Sequence, residues 1–224
     1  MENCLHKFKI YKYGFTLAEV LITLVIIGVV AALTISPLVN TYVESSTVSK
    51  VKKGLSILGQ AKKLAEAQSG SIQSWEVAEN YSGESATQLW NYLKPYISVA
   101  KDCGLSSNCY QRNGSYLLSG SSWNDYSSSP MYYKFVLADG SIMWFRTNSN
   151  YCLSGNDGVN NVCAIFWYDT NGDKKPNTIG IDIFLYEMSI DGVFPDLRND
   201  CSKNSDGFGC SGYIVKKGNM NYLH

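Results

Sequence analysis

The sequence predicts an α+β protein in which a long N-terminal helix, membrane-spanning in its first half and amphipathic in its second, packs on an antiparallel β-sheet head. Three observations lead to this prediction. Residues 15–40 form an apolar run with a single charge, Glu19. Apolar residues then recur at helical spacing to about residue 68, and the aromatic and β-branched runs of the second half do not alternate with helices.

The first element is a short basic segment, residues 1–14. It contains three lysines and one acid, namely Lys7, Lys9, Lys12 and Glu2. A basic segment before an apolar run is typical of an export or anchoring signal, and its positive end stays in the cytoplasm. Everything after residue 40 is therefore expected to lie outside the cytoplasm.

An ordinary secretory signal peptide is the alternative reading of this region. Its apolar core would be residues 20–30, and the small residues Ala31 and Ala32 would suit a cleavage site. Two features count against it. Glu19 would lie inside the apolar region, and helical patterning continues beyond Ala32.

The second element is one helix from about Phe15 to Gln68. Its first 25 residues would span roughly 37 Å, enough to cross a bilayer. Residues 41–68 carry an apolar stripe that should face the head, with most of the charged residues beside it. Bending is most expected at Gly28 and Pro37. The stripe comprises Val48, Val51, Leu55, Leu58, Ala61, Leu64 and Ala65.

The segment "GFTLAEVLITLVIIGVVAAL" resembles the prepilin-type cleavage and methylation motif of type IV pilins and type II secretion pseudopilins. The resemblance implies a pilin-like fold and a cut between Gly14 and Phe15 by prepilin peptidase, a membrane aspartyl peptidase, followed by methylation of the new amine. It also implies that Glu19 meets the amine of the next subunit during filament assembly. The partners it implies are prepilin peptidase, other pilin or pseudopilin subunits, an inner-membrane assembly platform and membrane lipid.

These expectations define four regions: a leader (1–14), a transmembrane and filament-core helix (15–40), an amphipathic helix (41–68) and a head (69–224). The resemblance implies a single-pass protein of the bacterial inner membrane that joins a periplasmic or cell-surface filament. The favoured function is that of a type II secretion pseudopilin. A minor type IV pilin for adhesion or DNA uptake is the alternative, as is a secreted binding domain with an ordinary signal peptide.

The head is expected to begin with a short helix in "SATQLWNYLKPYI" and to continue as strands. Asp139-Gly140 between two aromatic runs is the strongest hairpin signal. Further strands are predicted in "VCAIFWYD" and "IGIDIFLYEM", and a last one in "GYIVKK".

Six cysteines follow the leader, which itself contains Cys4. An even number in an exported domain predicts disulfides, although the sequence leaves fifteen pairings open. The simplest proposal joins sequence neighbours. These candidates are Cys103 with Cys109, Cys152 with Cys163, and Cys201 with Cys210.

Composition argues against two functional classes. The formal net charge is +0 at pH 7, and basic residues are not clustered in the head, so nucleic acid is not an expected partner. The two histidines are His6 in the leader and His224, the last residue. A catalytic triad or a histidine zinc site is therefore not expected, and the sequence favours a protein that is not an enzyme over a membrane-anchored enzyme.

One loop suggests a metal. In "YDTNGDKKPNTIGID", Asp169, Asn171 and Asp173 alternate as oxygen donors, followed by Asn177 and Asp182. Such a pattern suits calcium, but it is not an EF-hand because Gly180 stands where the twelfth-position glutamate would be. Some type II pseudopilins bind calcium in a C-terminal loop, so the resemblance also favours calcium. A polar turn between two strands is the other reading.

Overall fold

The computed structural model describes residues 14–78, 81–106, 114–124, 128–149 and 151–224, without the side chains of residues 36 and 37. The leader up to residue 13 lies outside these ranges. The chain divides into two compact units between Val43 and Glu44. The first contains the apolar segment, and the second contains the head together with the second half of the long helix.

The long helix α1 covers Leu17–Ser69 and continues through Gly28 and Pro37. Its first part has no buried residue: all described residues from 14 to 43 are exposed except the half-buried Ala31. Apolar side chains point in every direction around this segment and include valines, leucines and isoleucines. It therefore has no core of its own within the first unit.

The second part of α1 has a buried stripe, as predicted. Val51, Leu58 and Ala61 are fully buried, and Leu55 is partly buried against the same core. Leu64, which the pattern placed in the stripe, is 52% exposed. Residues 44–69 thus belong to the head through one face of the helix.

Two lysines in this part of α1 form polar contacts with turns that follow strands of the sheet. Lys50 Nζ donates to the Thr170 carbonyl at 2.7 Å, and Lys53 pairs with Asp139 at 2.7 Å. A third lysine of this part of α1, Lys62, is buried and is only 4% exposed. Its ammonium donates to the Ile190 carbonyl and to Glu66, so its buried charge is satisfied.

The predicted short helix is present as α2, Gly83–Leu93, followed by the 3₁₀ turn Lys94–Tyr96. Ser82 caps its N-terminus by accepting from the Ser85 amide in a reciprocal capping box. Trp90 is buried and stacks on Phe135, with ring centroids 4.4 Å apart. The helix thereby covers the inner face of the sheet.

Within the described residues, seven strands form one antiparallel sheet, confirming the predicted fold class. The strands are β1 (Val99–Gly104), β4 (Tyr133–Leu137), β5 (Ile142–Thr147), β6 (Ser154–Asn156), β7 (Val159–Asp169), β8 (Ile183–Ser189) and β9 (Val193–Pro195), while β2 (Ser115–Tyr116) and β3 (Ser122–Trp123) form a separate pair. The order in the sheet is β1-β4-β5-β7-β8-β9, and β6 also pairs with β7. Asp139 and Gly140 lie in the hairpin turn between β4 and β5, as predicted.

Both faces of the sheet are covered. The inner cluster joins Phe145 and Phe166, whose rings are 4.6 Å apart, to α1 and α2. The outer cluster contains Trp144 and Trp167 beneath loop residues such as Phe208. Four tyrosines of the head are buried as well, namely Tyr132, Tyr133, Tyr151 and Tyr168.

The predicted last strand is wrong. "GYIVKK" lies in helix α3, Cys210–Lys217, with Cys210 and Ile214 buried one turn apart. Gly218 ends the helix in a left-handed conformation, φ 72°. A run of three apolar residues is too short for its period to distinguish strand from helix.

Disulfides link Cys152 to Cys163 and Cys201 to Cys210, two of the sequence-neighbour pairs. Cys103 is also disulfide-bonded. Its predicted partner Cys109 lies outside the described residues. The first bridge holds the chain before β6 to β7, and the second holds the segment after β9 to α3.

Candidate functional site

The processing site lies where α1 begins. Gly14 and Phe15 are exposed and precede the helix, and Thr16 stands immediately before its first residue, Leu17. Glu19 Oε2 accepts hydrogen bonds from the Thr16 amide and from the Thr16 hydroxyl, both at 2.8 Å. In return, Thr16 Oγ1 accepts from the Glu19 amide at 3.2 Å.

This reciprocal arrangement is a capping box formed by Thr16 and Glu19. It satisfies two backbone amides that a helix leaves without partners at its N-terminus, and it places a negative charge at the positive end of the helix dipole. Sequence reasoning singled out Glu19 but missed Thr16. The signal was present, because "TLAE" has the T-x-x-E spacing of such a box.

The helix behind this cap is long and apolar enough to cross a membrane. The described residues contain one such helix, α1, with a mean hydropathy of 2.6 in its most apolar window. No residue of that window is buried within the chain. An exposed apolar surface of this size indicates a partner outside the chain, either lipid or other helices.

Residues 11–35 match the family model described as the prokaryotic N-terminal methylation motif. The chain carries a prepilin-type N-terminus. The motif is the cleavage signature of type IV pilins and pseudopilins, and it includes Gly14, Phe15 and Glu19. It implies processing by prepilin peptidase and assembly with other pilin subunits.

No curated protein and no solved structure matches the chain. The long N-terminal helix followed by an antiparallel sheet is nevertheless a pilin-like α+β architecture. The helix and the motif together indicate membrane anchoring.

The second candidate site is the loop between β7 and β8. Asp182 is 3% exposed and accepts from three donors, the Asn171 side chain at 3.0 Å, the Asn177 amide at 2.8 Å and the Thr178 amide at 2.6 Å. Asp169 accepts from the Asn171 amide at 3.0 Å. These bonds are those of a tight polar turn organised around a buried carboxylate.

Four of the five predicted metal ligands therefore come together, namely Asp169, Asn171, Asn177 and Asp182. Asp173 is exposed. Among the described residues, no group of three histidine, cysteine or acidic residues is arranged to hold a metal ion. Two amide oxygens of the loop, Asn171 Oδ1 and Asn177 Oδ1, are nevertheless buried and have no hydrogen-bond partner among those residues.

Proposed function

We propose that this protein is a structural subunit of a type II secretion or type IV pilus filament. Prepilin peptidase would cut it after Gly14, residues 15 to about 39 would hold it in the bacterial inner membrane, and the head would lie outside the cytoplasm. The observation that carries the proposal is the capped and exposed apolar segment with which α1 begins, at the position of the methylation motif.

Charge supports a role for Glu19 in assembly. Its Oε2 is engaged by Thr16, while Oε1 makes no hydrogen bond among the described residues. Cutting after Gly14 would create an amine on Phe15, about one helical turn from this carboxylate. A carboxylate in lipid is costly without a partner, so an amine from the same or the next subunit would remove that cost. In the filament, we expect the amine of the next subunit to be the partner.

The intact mass of the mature protein, purified from its membrane, tests the processing step. A chain that begins with a methylated Phe15 supports the proposal. A chain that begins near Leu33 would instead indicate an ordinary signal peptide and a secreted binding domain.

The genes beside this one provide the test that distinguishes a type II secretion system from a type IV pilus system. Neighbouring genes for a secretin, an assembly ATPase and other pseudopilins would favour type II secretion. We favour the pseudopilin over the minor type IV pilin for adhesion or DNA uptake because of the polar loop between β7 and β8.

A second proposed function is calcium binding by this loop. The unpartnered oxygens of Asn171 and Asn177 are suitable ligands for calcium, which prefers oxygen donors, and Asp169 and Asp182 would supply negative charge. Bound calcium would tie the two ends of the loop together. Thermal unfolding with calcium, with magnesium and with chelator tests this role, and Asp182→Asn should abolish a calcium-specific rise in Tm. An unchanged Tm at millimolar calcium would indicate that the loop is a polar turn without a calcium-binding role.

A further inference from the structure

A buried carboxyl group lies on the outer face of the sheet and belongs to neither of the sites described above. Glu187 on β8 is fully buried. Its neighbours across the strands are Ile165 on β7 and Phe194 on β9. Its Oε1 accepts from the Asn156 side chain, whereas its Oε2 is buried and has no hydrogen-bond partner among the described residues.

The surrounding charges do not balance this group. Asn156 Nδ2 also donates to Asp157 Oδ2 at 2.8 Å, so one amide bridges two carboxyl groups. The nearby cation is Arg198, whose Nη2 lies 2.6 Å from an oxygen of the fully buried Asp196. Arg198 also reaches Asp206 at 3.4 Å and Asp157 at 3.6 Å.

Within the part of the chain that the structure describes, the ion pairs of this cluster involve no cation other than Arg198. On the same face, Arg146 of β5 is two strands away and stacks on Tyr81, with its guanidinium carbon 4.8 Å from the ring centroid. Three carboxylates thus share one guanidinium, and ionised Glu187, which is itself fully buried, would be a fourth anion. Burial of an unpaired charge is costly, so the neutral acid is the favoured form.

The covering segments meet at this cluster. The turn after β6 contributes Asp157, the end of β9 contributes Asp196, and the following loop contributes Asp206 together with Phe208, which stacks on Arg198. Phe208 in turn packs on the outer apolar cluster. Movement of these segments is the available way to bring water to Glu187.

We propose that Glu187 is a pH-sensitive latch: its protonated carboxyl holds the turn after β6 and segment 196–208 closed over the outer face of the sheet. Loss of the proton to water favours an opened form in which Glu187 is hydrated. Because the head would lie outside the cytoplasm, the latch would respond to the pH of the surroundings. Only this last consequence depends on the proposed topology.

The electrostatics agree with the geometry. Burial, the largest cause, raises the pKa of Glu187 to about 8. The Asn156 hydrogen bond lowers it, Asp196 and Asp157 raise it further, and Arg198 lowers it. Burial also raises the pKa of Asp157. Because the pKa of Glu187 is raised in the closed form, that form is most stable below the ordinary pKa of 4.5. It loses this stability relative to the opened form as the pH rises to about 8.

Hydrogen exchange on the detergent-solubilised full chain tests the latch between pH 5 and 9, after correction for intrinsic exchange rates. The opening equilibrium constant of residues 154–158 and 196–208 should rise about tenfold per pH unit from about pH 5 to 8 and then level off. Amides in the centre of β5 and β7 should not follow this slope. Glu187→Gln should remove the slope, whereas the exposed control Glu84→Gln should retain it.

Three results would overturn the proposal: a Glu187→Gln protein with the wild-type slope, the same slope throughout the sheet, or pH-independent opening of wild type. A carbon-13 titration of the Glu187 carboxyl in the wild-type protein provides a second measurement should the variant fail to fold. Ionisation below pH 5 would refute the latch, and ionisation near pH 8 would support it. Neither measurement requires filament assembly, so failure of the latch is separable from failure of the proposed function.

Discussion

The two parts of α1 contrast sharply, although they belong to one continuous helix. Up to Val43, apolar side chains are exposed on all sides. From Glu44 onward, the apolar residues form one stripe along the helix, and polar residues occupy its other sides. This stripe packs in the core of the head. A helix that is apolar all round needs an apolar environment outside the chain, whereas an amphipathic helix finds its partner within its own domain. The same secondary structure therefore exposes an apolar surface beyond the chain in one part and belongs to the folded head in the other.

The largest effect expected in the first part comes from Glu19→Ala. Membrane insertion and cutting after Gly14 should remain, because the apolar run and the cleavage residues are unchanged. Filament formation should be lost for the most part, since the carboxylate that would meet the amine is absent. Filament yield, measured beside the intact mass of the processed subunit, checks both statements. Normal filaments from this variant would show that Glu19 has no assembly role.

The largest effect expected in the second part comes from the buried stripe. Leu58→Ala should lower the free energy of unfolding of the head by about 2–5 kcal/mol, because it leaves a cavity under α1. Leu33→Ala is the matched control, since Leu33 is 73% exposed in the first unit. Denaturant unfolding of the detergent-solubilised protein compares the two variants. Equal losses of stability in the two variants would contradict the conclusion that Leu58 belongs to the core of the head and Leu33 does not.

A smaller effect is expected from Lys62→Met. This change leaves the Ile190 carbonyl without the lysine donor and removes the cation paired with Glu66, at a cost of about 1–3 kcal/mol. Lys63→Met, next along the same helix, alters an exposed side chain and should be nearly neutral. Both variants can be measured by the same unfolding experiment. Similar stability of the two would mean that the buried ammonium contributes little to fastening α1.

The smallest effect is expected from the exposed pair of Lys53 and Asp139. Lys53→Ala should cost about 0.2–1 kcal/mol. Partial burial of Asp139 opposes ionisation, but hydrogen bonds from Lys53 and Ser141 lower its pKa to about 2. The pair therefore contributes above about pH 4 and loses its contribution as pH falls towards 2. Unfolding of wild type and variant at pH 7 and pH 2.5 should show the difference shrinking, and a constant difference would contradict this account.

Local patterns in the sequence predicted much of this molecule. The helical period predicted α1, the Asp139-Gly140 turn predicted the β4–β5 hairpin, and runs of aromatic and β-branched residues predicted β7 and β8. Each signal acts between residues close in sequence, where backbone geometry dictates which side chains share a face. The same patterns misplaced α3 as a strand and Leu64 in the buried stripe, because neither a short run nor the spacing of a single side chain reveals its tertiary partners.

The N-terminal site was determined by the sequence alone. Gly14, Phe15 and Glu19 lie within six residues, so their relationship follows from the chain itself, and even the missed Thr16 had a local signature. The charge cluster around Glu187 depended on tertiary structure. Strand pairing and loop packing bring together residues 156, 187, 198 and 206, which no spacing rule connects. Burial and shared hydrogen bonds, which decide whether a carboxyl group is charged, arise only after that folding is complete.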